Sequence, residues 1–484
     1  MTIKIKSLKH NFVMYSVRML VNLLFTLLAF PHISRILGPT GVGKIQYAES
    51  IVAYFLLFIN LGVANYGRRE VAFVRDDKEK LTRIVLELLR ILLITTFIGI
   101  IVYFLFLKYY EGFSENREIL YIFSLNIIFN AFGVEWFYEG IENQTYIANR
   151  MILFKTVSIG LIFLFVHTSN DLNKYVGILV FSLVSSNIFN FIKLFTYINI
   201  KEGMKKKLKI KKHIRPLSLL FFSTLALSIS YNLDSIMIVK LVNIKELGYY
   251  SFASKIGKVP TIFTGAIGTI LFPRLCNYFE RKNFFEYKKL VKKGIEIILL
   301  ISIPASIGMY FISDLIVLVF VGETFINSIG IMKIFSIYIF LISISYITGS
   351  MTLFVYKKEN IFMYSLIIGS ALNFIFNFMF IPYLKAKGAA IATLITEGIA
   401  IIIRLIFGKK VFKEIDIFEK NYLKILISSV MIIPGILFIK SIFLNKELQI
   451  VLCIFTSIII YLVFLILLKE NIVIEILKKL RSKK

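Results

Sequence analysis

Along its whole length the chain alternates apolar runs of helical length with short polar joints. A helix needs about 20 apolar residues to cross a bilayer. Hydropathy places about fourteen such spans, at 11–37, 42–62, 84–107, 117–139, 150–168, 173–197, 216–240, 247–273, 293–312, 326–354, 360–382, 388–408, 421–440 and 447–468. The run "DLIVLVFV" at 314–321 reads as a short interfacial piece before the tenth span. The predicted fold class is all-α integral membrane protein. An even number of spans puts both termini on one side.

Composition strengthens this reading. Of 484 residues, 58% are apolar, 15% aromatic and 18% charged, and the mean hydropathy is +0.80. Soluble domains run about 45–50% apolar with about a quarter charged. The net charge of +28 is distributed by loop. Lys4, Lys6 and Lys9 precede the first span, Arg68, Arg69, Arg75, Lys78, Lys80 and Arg83 follow the second, and "KEGMKKKLKIKKHIR" follows the sixth. Counting alternate loops, about 40 Lys and Arg lie on the side of the termini and about 11 on the other, which makes both termini cytoplasmic. The charge is then a topology signal with attraction to anionic headgroups, not a nucleic-acid footprint. The first apolar stretch is long and lacks a small-residue cleavage site, so it is expected to stay as the first span.

Little enzymatic chemistry is on offer. Cys276, placed in a cytoplasmic loop, and Cys453, in the last span, suggest neither a disulfide nor a metal site. His10, His32, His167 and His213 form no sequence cluster, and Asn143-Gln144-Thr145 is a chance sequon on the cytoplasmic side. External loops are short, which disfavours a membrane polymerase or ligase. The string Gly38-Pro39-Thr40-Gly41-Val42-Gly43-Lys44 spells the start of a phosphate-binding loop. That motif needs Ser or Thr next, to hold magnesium, and a strand before it. Position 45 is Ile and both flanks are membrane spans. The string is expected to be a tight Gly/Pro turn between two helices.

A repeat divides the chain. "GKIQYAESI" (43–51) aligns with "GYYSFASKI" (248–256), pairing Gly43 with Gly248, Tyr47 with Phe252, Ala48 with Ala253 and Ile51 with Ile256. Six spans separate the pair, so the repeat is parallel. Together with the basic linker, this predicts a six-helix lobe at 1–200, a linker at 201–215, a second six-helix lobe at 216–412, and two added helices with a basic tail at 413–484. Two pseudo-symmetric bundles around a central cavity suit an alternating-access carrier.

The stretch "FPHISRILGPTGVGKIQYAESIVAYFLLFINLGVANYGRREVA" resembles the amino-terminal signature of Wzx-type O-antigen flippases, in the polysaccharide-transporter branch of the multidrug/oligosaccharidyl-lipid/polysaccharide superfamily. "EWFYEGIENQTYIANRMILFKTVSIGLIFLFV", "NLDSIMIVKLVNIKELGYYSFASKI" and "KGAAIATLITEGIA" resemble later segments in the same order. The resemblance implies transport of an undecaprenyl-pyrophosphate-linked oligosaccharide to the outer leaflet of a bacterial plasma membrane. Membrane lipids, a polysaccharide polymerase and a chain-length regulator are the candidate partners. No cofactor is expected; a proton or sodium ion is the candidate coupling species. A lipid II or teichoic-type flippase, or a drug/cation antiporter of the same fold, remains the alternative.

Ionisable residues inside spans are the best clue to mechanism, since each costs about 2.5–3.5 kcal/mol at mid-bilayer on insertion scales. Six basic residues stand out: Arg18, Arg90, Lys155, Lys255, Lys258 and Lys333. Arg90, Lys155 and Lys333 lie near helix ends, where snorkelling explains them, and Arg18 fits either role. Lys255 and Lys258 lie deeper, three apart on one face of the eighth span. The resemblance implies that the first, second, seventh and eighth helices line the cavity, which favours Arg18, Lys255 and Lys258 as pyrophosphate ligands, with Arg90 a further candidate. Among the acidic residues Glu49, Asp234 and Glu397 are candidates for ion coupling, while Glu135 and Glu139 complete the set. Asn22, Asn373 and Asn377 are candidate glycan contacts, with interhelical hydrogen bonds the competing explanation. Pro31 and Pro304 are expected to bend the first and ninth spans.

Overall fold

The computed structural model describes residues 8–110, 117–199, 208–415, 419 and 421–475, and all regular secondary structure among them is helical. Residues 201–207 of the basic linker, and the basic stretches at 1–7 and 476–484, lie outside the described residues. Among the described residues, eleven helical segments are long and apolar enough to cross a membrane, or twelve when one bent pair counts as a span. The protein is therefore a multi-pass membrane protein. One of the eleven, Val13–Val74, carries both of the first two predicted spans. The seventh predicted span coincides with the helix Lys211–Leu241, which is not among the eleven.

The chain forms two compact units, Met1–Val239 and Lys240–Lys484. The first opens with α1 (Leu8–Asn60), which is broken only at Gly38, where φ is 64° and ψ 179°. That backbone region is open to glycine alone among the common residues. Pro39 follows, with its φ preset for a first helical turn. Residues 39–44 are helical, so the phosphate-loop look-alike contributes no loop at all. Gly41 and Gly43 are buried at the start of this second helical part.

The remaining helices of the first unit are α2 (Val63–Val74), α3 (Lys78–Tyr109), α4 (Arg117–Ile128), the short α5 (Glu135–Gly140), α6 (Gln144–Phe165), α7 (Leu172–Leu194) and most of α8 (Lys211–Leu241). Trp136, Phe137 and Tyr138 of α5 are buried with Val71, Val85 and Leu88. Glycines let the backbones close in. A Cβ on Gly67 would sit 2.5 Å from Trp136 Cε3, and one on Gly140 would sit 2.6 Å from Val71 Cγ1 and 2.9 Å from the Arg68 carbonyl oxygen. Small residues at helix crossings are the usual device for close approach in membranes. Asn143 of the sequon caps α6, its side chain accepting from the Tyr146 N–H and donating to the Tyr197 hydroxyl.

The second unit contains α9 (Ile244–Gly257), α10 (Thr261–Glu280), α11 (Phe284–Phe320), α12 (Ser328–Thr348), a π-helical turn at Gly349–Leu353, α13 (Glu359–Leu384), α14 (Ala386–Phe407), α15 (Lys409–Ile415), α16 (Asn421–Val430), α17 (Ile432–Ile442) and α18 (Lys446–Leu467). Two expectations are corrected here, and the eighth span gains a detail. The eighth span is a bent pair: α9 and α10 meet at 47°, at Lys258–Pro260, where proline lacks the N–H that would continue the ladder. Cys276 lies inside α10, not in a loop. The run 314–321 is no separate piece, since α11 continues across Pro304 and through this run as far as Phe320, 37 residues in all. At 1.5 Å per residue that is about 55 Å, longer than the roughly 30 Å hydrocarbon core.

The repeat is visible in burial. Tyr47 and Phe252 are 1% and 0% exposed, Ala48 and Ala253 both 0%, and Ile51 and Ile256 6% and 5%. Each copy lies in its own unit and buries these three positions.

Candidate functional site

In the first unit Arg18 is held by two carboxylates. Its Nη2 lies 2.6 Å from Glu135 Oε1 and its Nη1 3.0 Å from Glu139 Oε1. Each carboxylate uses its second oxygen on another guanidinium: Glu135 Oε2 is 2.5 Å from Arg150 Nη2, and Glu139 Oε2 is 2.5 Å from Arg68 Nη2. Three arginines from α1, α2 and α6 thus converge on two glutamates one turn apart on α5. The Gly67 and Gly140 contacts bring α2 against α5 and set Arg68 beside Glu139. Arg150 also donates to Asn190 Oδ1, and its guanidinium carbon lies 6.0 Å from the Tyr146 ring centroid. Arg150 was not singled out from sequence, because it stands at the edge of a predicted span.

The other predicted residues of this unit are scattered. Arg90 and Asn22 are exposed, Glu49 is half-buried, and Asp234 is buried. Lys155 lies 3.9 Å from the Phe25 ring centroid, a cation–π contact that shelters an ammonium in apolar surroundings. A second polar node, unforeseen, joins α3 to α8. Glu87, fully buried, accepts from His213 Nε2 at 2.9 Å and the Lys209 backbone N–H at 2.7 Å, and pairs with Lys212 Nζ at 2.7 Å and Arg83 Nε at 3.2 Å. The other ring nitrogen of His213 meets the Tyr66 hydroxyl at 2.7 Å. Buried polar groups need partners of this kind.

In the second unit Lys255 and Lys258 are both half-buried. Lys258 is the first residue of the bend, just after α9 ends at Gly257, and its ammonium lies 4.7 Å from the Phe335 and 5.2 Å from the Tyr338 ring centroid, both on α12. Lys333 sits 5.4 Å from the Tyr310 ring. Asn373 and Asn377 are buried and bond each other along one helix, Asn377 Nδ2 donating to Asn373 Oδ1 at 3.0 Å. Glu397 Oε1 is 3.8 Å from Arg404 Nη1. Arg404 is wholly buried; its Nε donates to Ser365 Oγ at 2.8 Å, Nη1 donates to Ser345, and the guanidinium lies 4.4 Å from the Phe362 ring centroid. Sequence reading missed Arg404 although it falls inside the twelfth predicted span; its place in that span was the signal. The π turn at Gly349–Leu353 begins four residues after Ser345, and a Cβ on Gly349 would be 2.6 Å from the Phe362 ring. Such turns are frequent at functional sites. Among the described residues no group of His, Cys, Asp and Glu could hold a metal ion.

A helical membrane protein with cations and carboxylates inside its spans fits a carrier, and comparison with known proteins narrows the class. The family model described as polysaccharide biosynthesis protein matches residues 8–279. The chain belongs to that family. The resemblance to Wzx-type flippases is thereby borne out. A model described as lipid II flippase MurJ matches residues 147–479. A relative named "Putative O-antigen transporter" from Escherichia coli (strain K12) is 24% identical over 407 residues, 83% of this chain and 96% of the relative. The capsular polysaccharide biosynthesis protein CapF of Staphylococcus aureus is 25% identical over 385 residues, 78% of this chain and 94% of that one. Among solved structures, the lipid II flippase MurJ in an inward closed conformation superposes with a TM-score of 0.64 at 20% identity, over 93% of this chain and 99% of that one. An inward-facing multidrug resistance MATE family transporter gives 0.62 at 16%, over 84% and 99%. The polysaccharide family member thus shares its fold with MurJ and MATE transporters.

Proposed function

We propose that the protein is a flippase that carries an undecaprenyl-pyrophosphate-linked oligosaccharide, an O-antigen or capsule repeat unit, from the cytoplasmic to the outer leaflet of the bacterial plasma membrane. Both termini face the cytoplasm in this reading. Transport proceeds by alternating access and is coupled to a proton or sodium ion, with Glu49, Asp234 and Glu397 the coupling candidates. The observation that carries the proposal is Lys258: an ammonium kept in an apolar span, at a helix bend and against two aromatic rings, in a chain of the polysaccharide biosynthesis family. Arg18 in the first unit, with Lys255 and Lys258 in the second, are the groups assigned to the pyrophosphate. Arg90, exposed on α3, is kept as a further pyrophosphate candidate; Asn22, Asn373 and Asn377 are assigned to the glycan. An interior-negative potential assists outward movement of an anion by about 2.3 kcal/mol per charge per 100 mV. A polymerase and a chain-length regulator are proposed as its working partners.

The test is complementation of a flippase-deficient strain. The wild type should clear the accumulated lipid-linked repeat unit. A Lys255→Gln/Lys258→Gln protein, present at normal level in the membrane, should leave it on the inner leaflet. Normal export by that variant would refute the assignment. The match to the lipid II flippase model over 147–479 favours one second reading, a lipid II flippase. Clearance of lipid II in place of the longer repeat unit would decide for it.

A further inference from the structure

We infer that Glu135 and Glu139 are internal stand-ins for phosphate, and that Arg18, Arg68 and Arg150 form an anion site that a pyrophosphate head enters by displacing them. This rests on the pyrophosphate reading above and extends it to Arg68 and Arg150 and to a competing role for the two carboxylates. Four carboxylate oxygens occupy four guanidinium nitrogens here, the same planar forks that bind phosphate oxygens in pairs. Three guanidiniums against two carboxylates leave one positive charge over, so the occupied site still attracts an anion.

The site also lacks acceptors. Arg150 Nε and Asn190 Nδ2 are buried donors with no hydrogen-bond partner, and the two residues are 6% and 1% exposed. An unmet buried donor costs stability, and a phosphate with more oxygens than a carboxylate can meet it. Access exists at the exposed members, where the Arg68 side chain is 51% and that of Glu135 31% exposed. The site thus has a buried floor of Arg150 and Asn190 and an open rim of Arg68 and Glu135. No other charge need move: Arg75 is paired with Glu142, and Arg69 with Glu70, outside the network.

The experiment measures inorganic pyrophosphate binding to the full chain in lipid nanodiscs by calorimetry at fixed salt. Removing a competing partly exposed ion pair is worth up to about 1 kcal/mol, which is about fivefold in affinity. Glu139→Gln should bind pyrophosphate about fivefold tighter than wild type; Arg68→Gln should bind it more weakly. Glu70→Gln removes the same charge from α2 outside the network, and should tighten binding by less than Glu139→Gln. If Glu139→Gln does not fold, Glu135→Gln takes its place with the same expectation. Equal tightening by Glu70→Gln and the network variants, or none by the latter, overturns the inference and leaves a purely structural ion-pair clamp. The Lys255→Gln/Lys258→Gln protein separates the two proposals. If it exports normally while Glu139→Gln still binds tighter, the earlier site assignment fails and this one stands; if export fails and Glu139→Gln gains nothing, the reverse holds.

Discussion

Arg404 is the residue whose removal should be felt most, and its coupling to Glu397 can be sized from the structure. The two charges lie 3.8 Å apart, with the Arg404 side chain fully buried and that of Glu397 16% exposed. At an effective dielectric near 20 that separation corresponds to about 4 kcal/mol of attraction before desolvation is counted. Arg404→Leu removes this attraction together with the donations to Ser365 and Ser345, and strands Glu397, whose Oε1 has no hydrogen bond of its own. Breaking a buried pair by deleting one partner costs about 3–5 kcal/mol. Glu397→Gln leaves Arg404 its serines and the Phe362 ring, so it should cost about 1 kcal/mol. With no stranded carboxylate in the double variant, the two changes should fall short of additivity by about 1–3 kcal/mol. The assay is unfolding in mixed micelles followed by helical circular dichroism, for wild type, both single variants and the double. Additivity within about 0.5 kcal/mol would refute the argument that these groups act as a pair.

Two glycines should fail for opposite reasons. Gly38→Ala meets no atom within 4 Å but must hold φ 64°, ψ 179°, so about 1–3 kcal/mol is lost to backbone strain alone, and larger residues at 38 should cost no more in the same unfolding measurement. Gly67→Ala keeps helical dihedrals but puts a Cβ 2.5 Å from the Trp136 ring, an overpacking cost of about 1–3 kcal/mol that Trp136→Leu should relieve in the double variant. His213→Phe strands the Tyr66 hydroxyl while Glu87 keeps Lys212, Arg83 and the Lys209 N–H. A loss of about 1–3 kcal/mol is expected, and adding Tyr66→Phe to it should cost nothing further; a fully additive second loss would mean the hydroxyl had another acceptor.

Much of the fold was legible because membrane insertion is decided locally. A run of apolar residues is favourable or not by its own sum, so the spans could be drawn from hydropathy, and Gly38-Pro39 marked the first break by dihedral chemistry alone. The bend at Lys258–Pro260 was less legible, since a proline in a membrane helix is tolerated or breaking according to its neighbours. The length of α11 escaped for a related reason. Its first turns, from Phe284, carry Lys288, Lys289, Lys292 and Lys293 and do not read as a span, yet nothing in them stops a helix.

The candidate site divides along the same line. By itself the sequence determined that the chain is a multi-pass helical membrane protein, that a short motif at 43–51 has a counterpart at 248–256, and which ionisable residues sit inside apolar runs. Only the tertiary structure decided whom those charges meet. Arg18 reaches Glu135 and Glu139 across 117 and 121 residues, and His213 reaches Glu87 across 126. Hydropathy adds up along the chain and can be read from it, whereas an ion pair depends on which helix faces turn toward each other. That choice rests on packing details such as Gly67 against Trp136, which have no signature in one sequence.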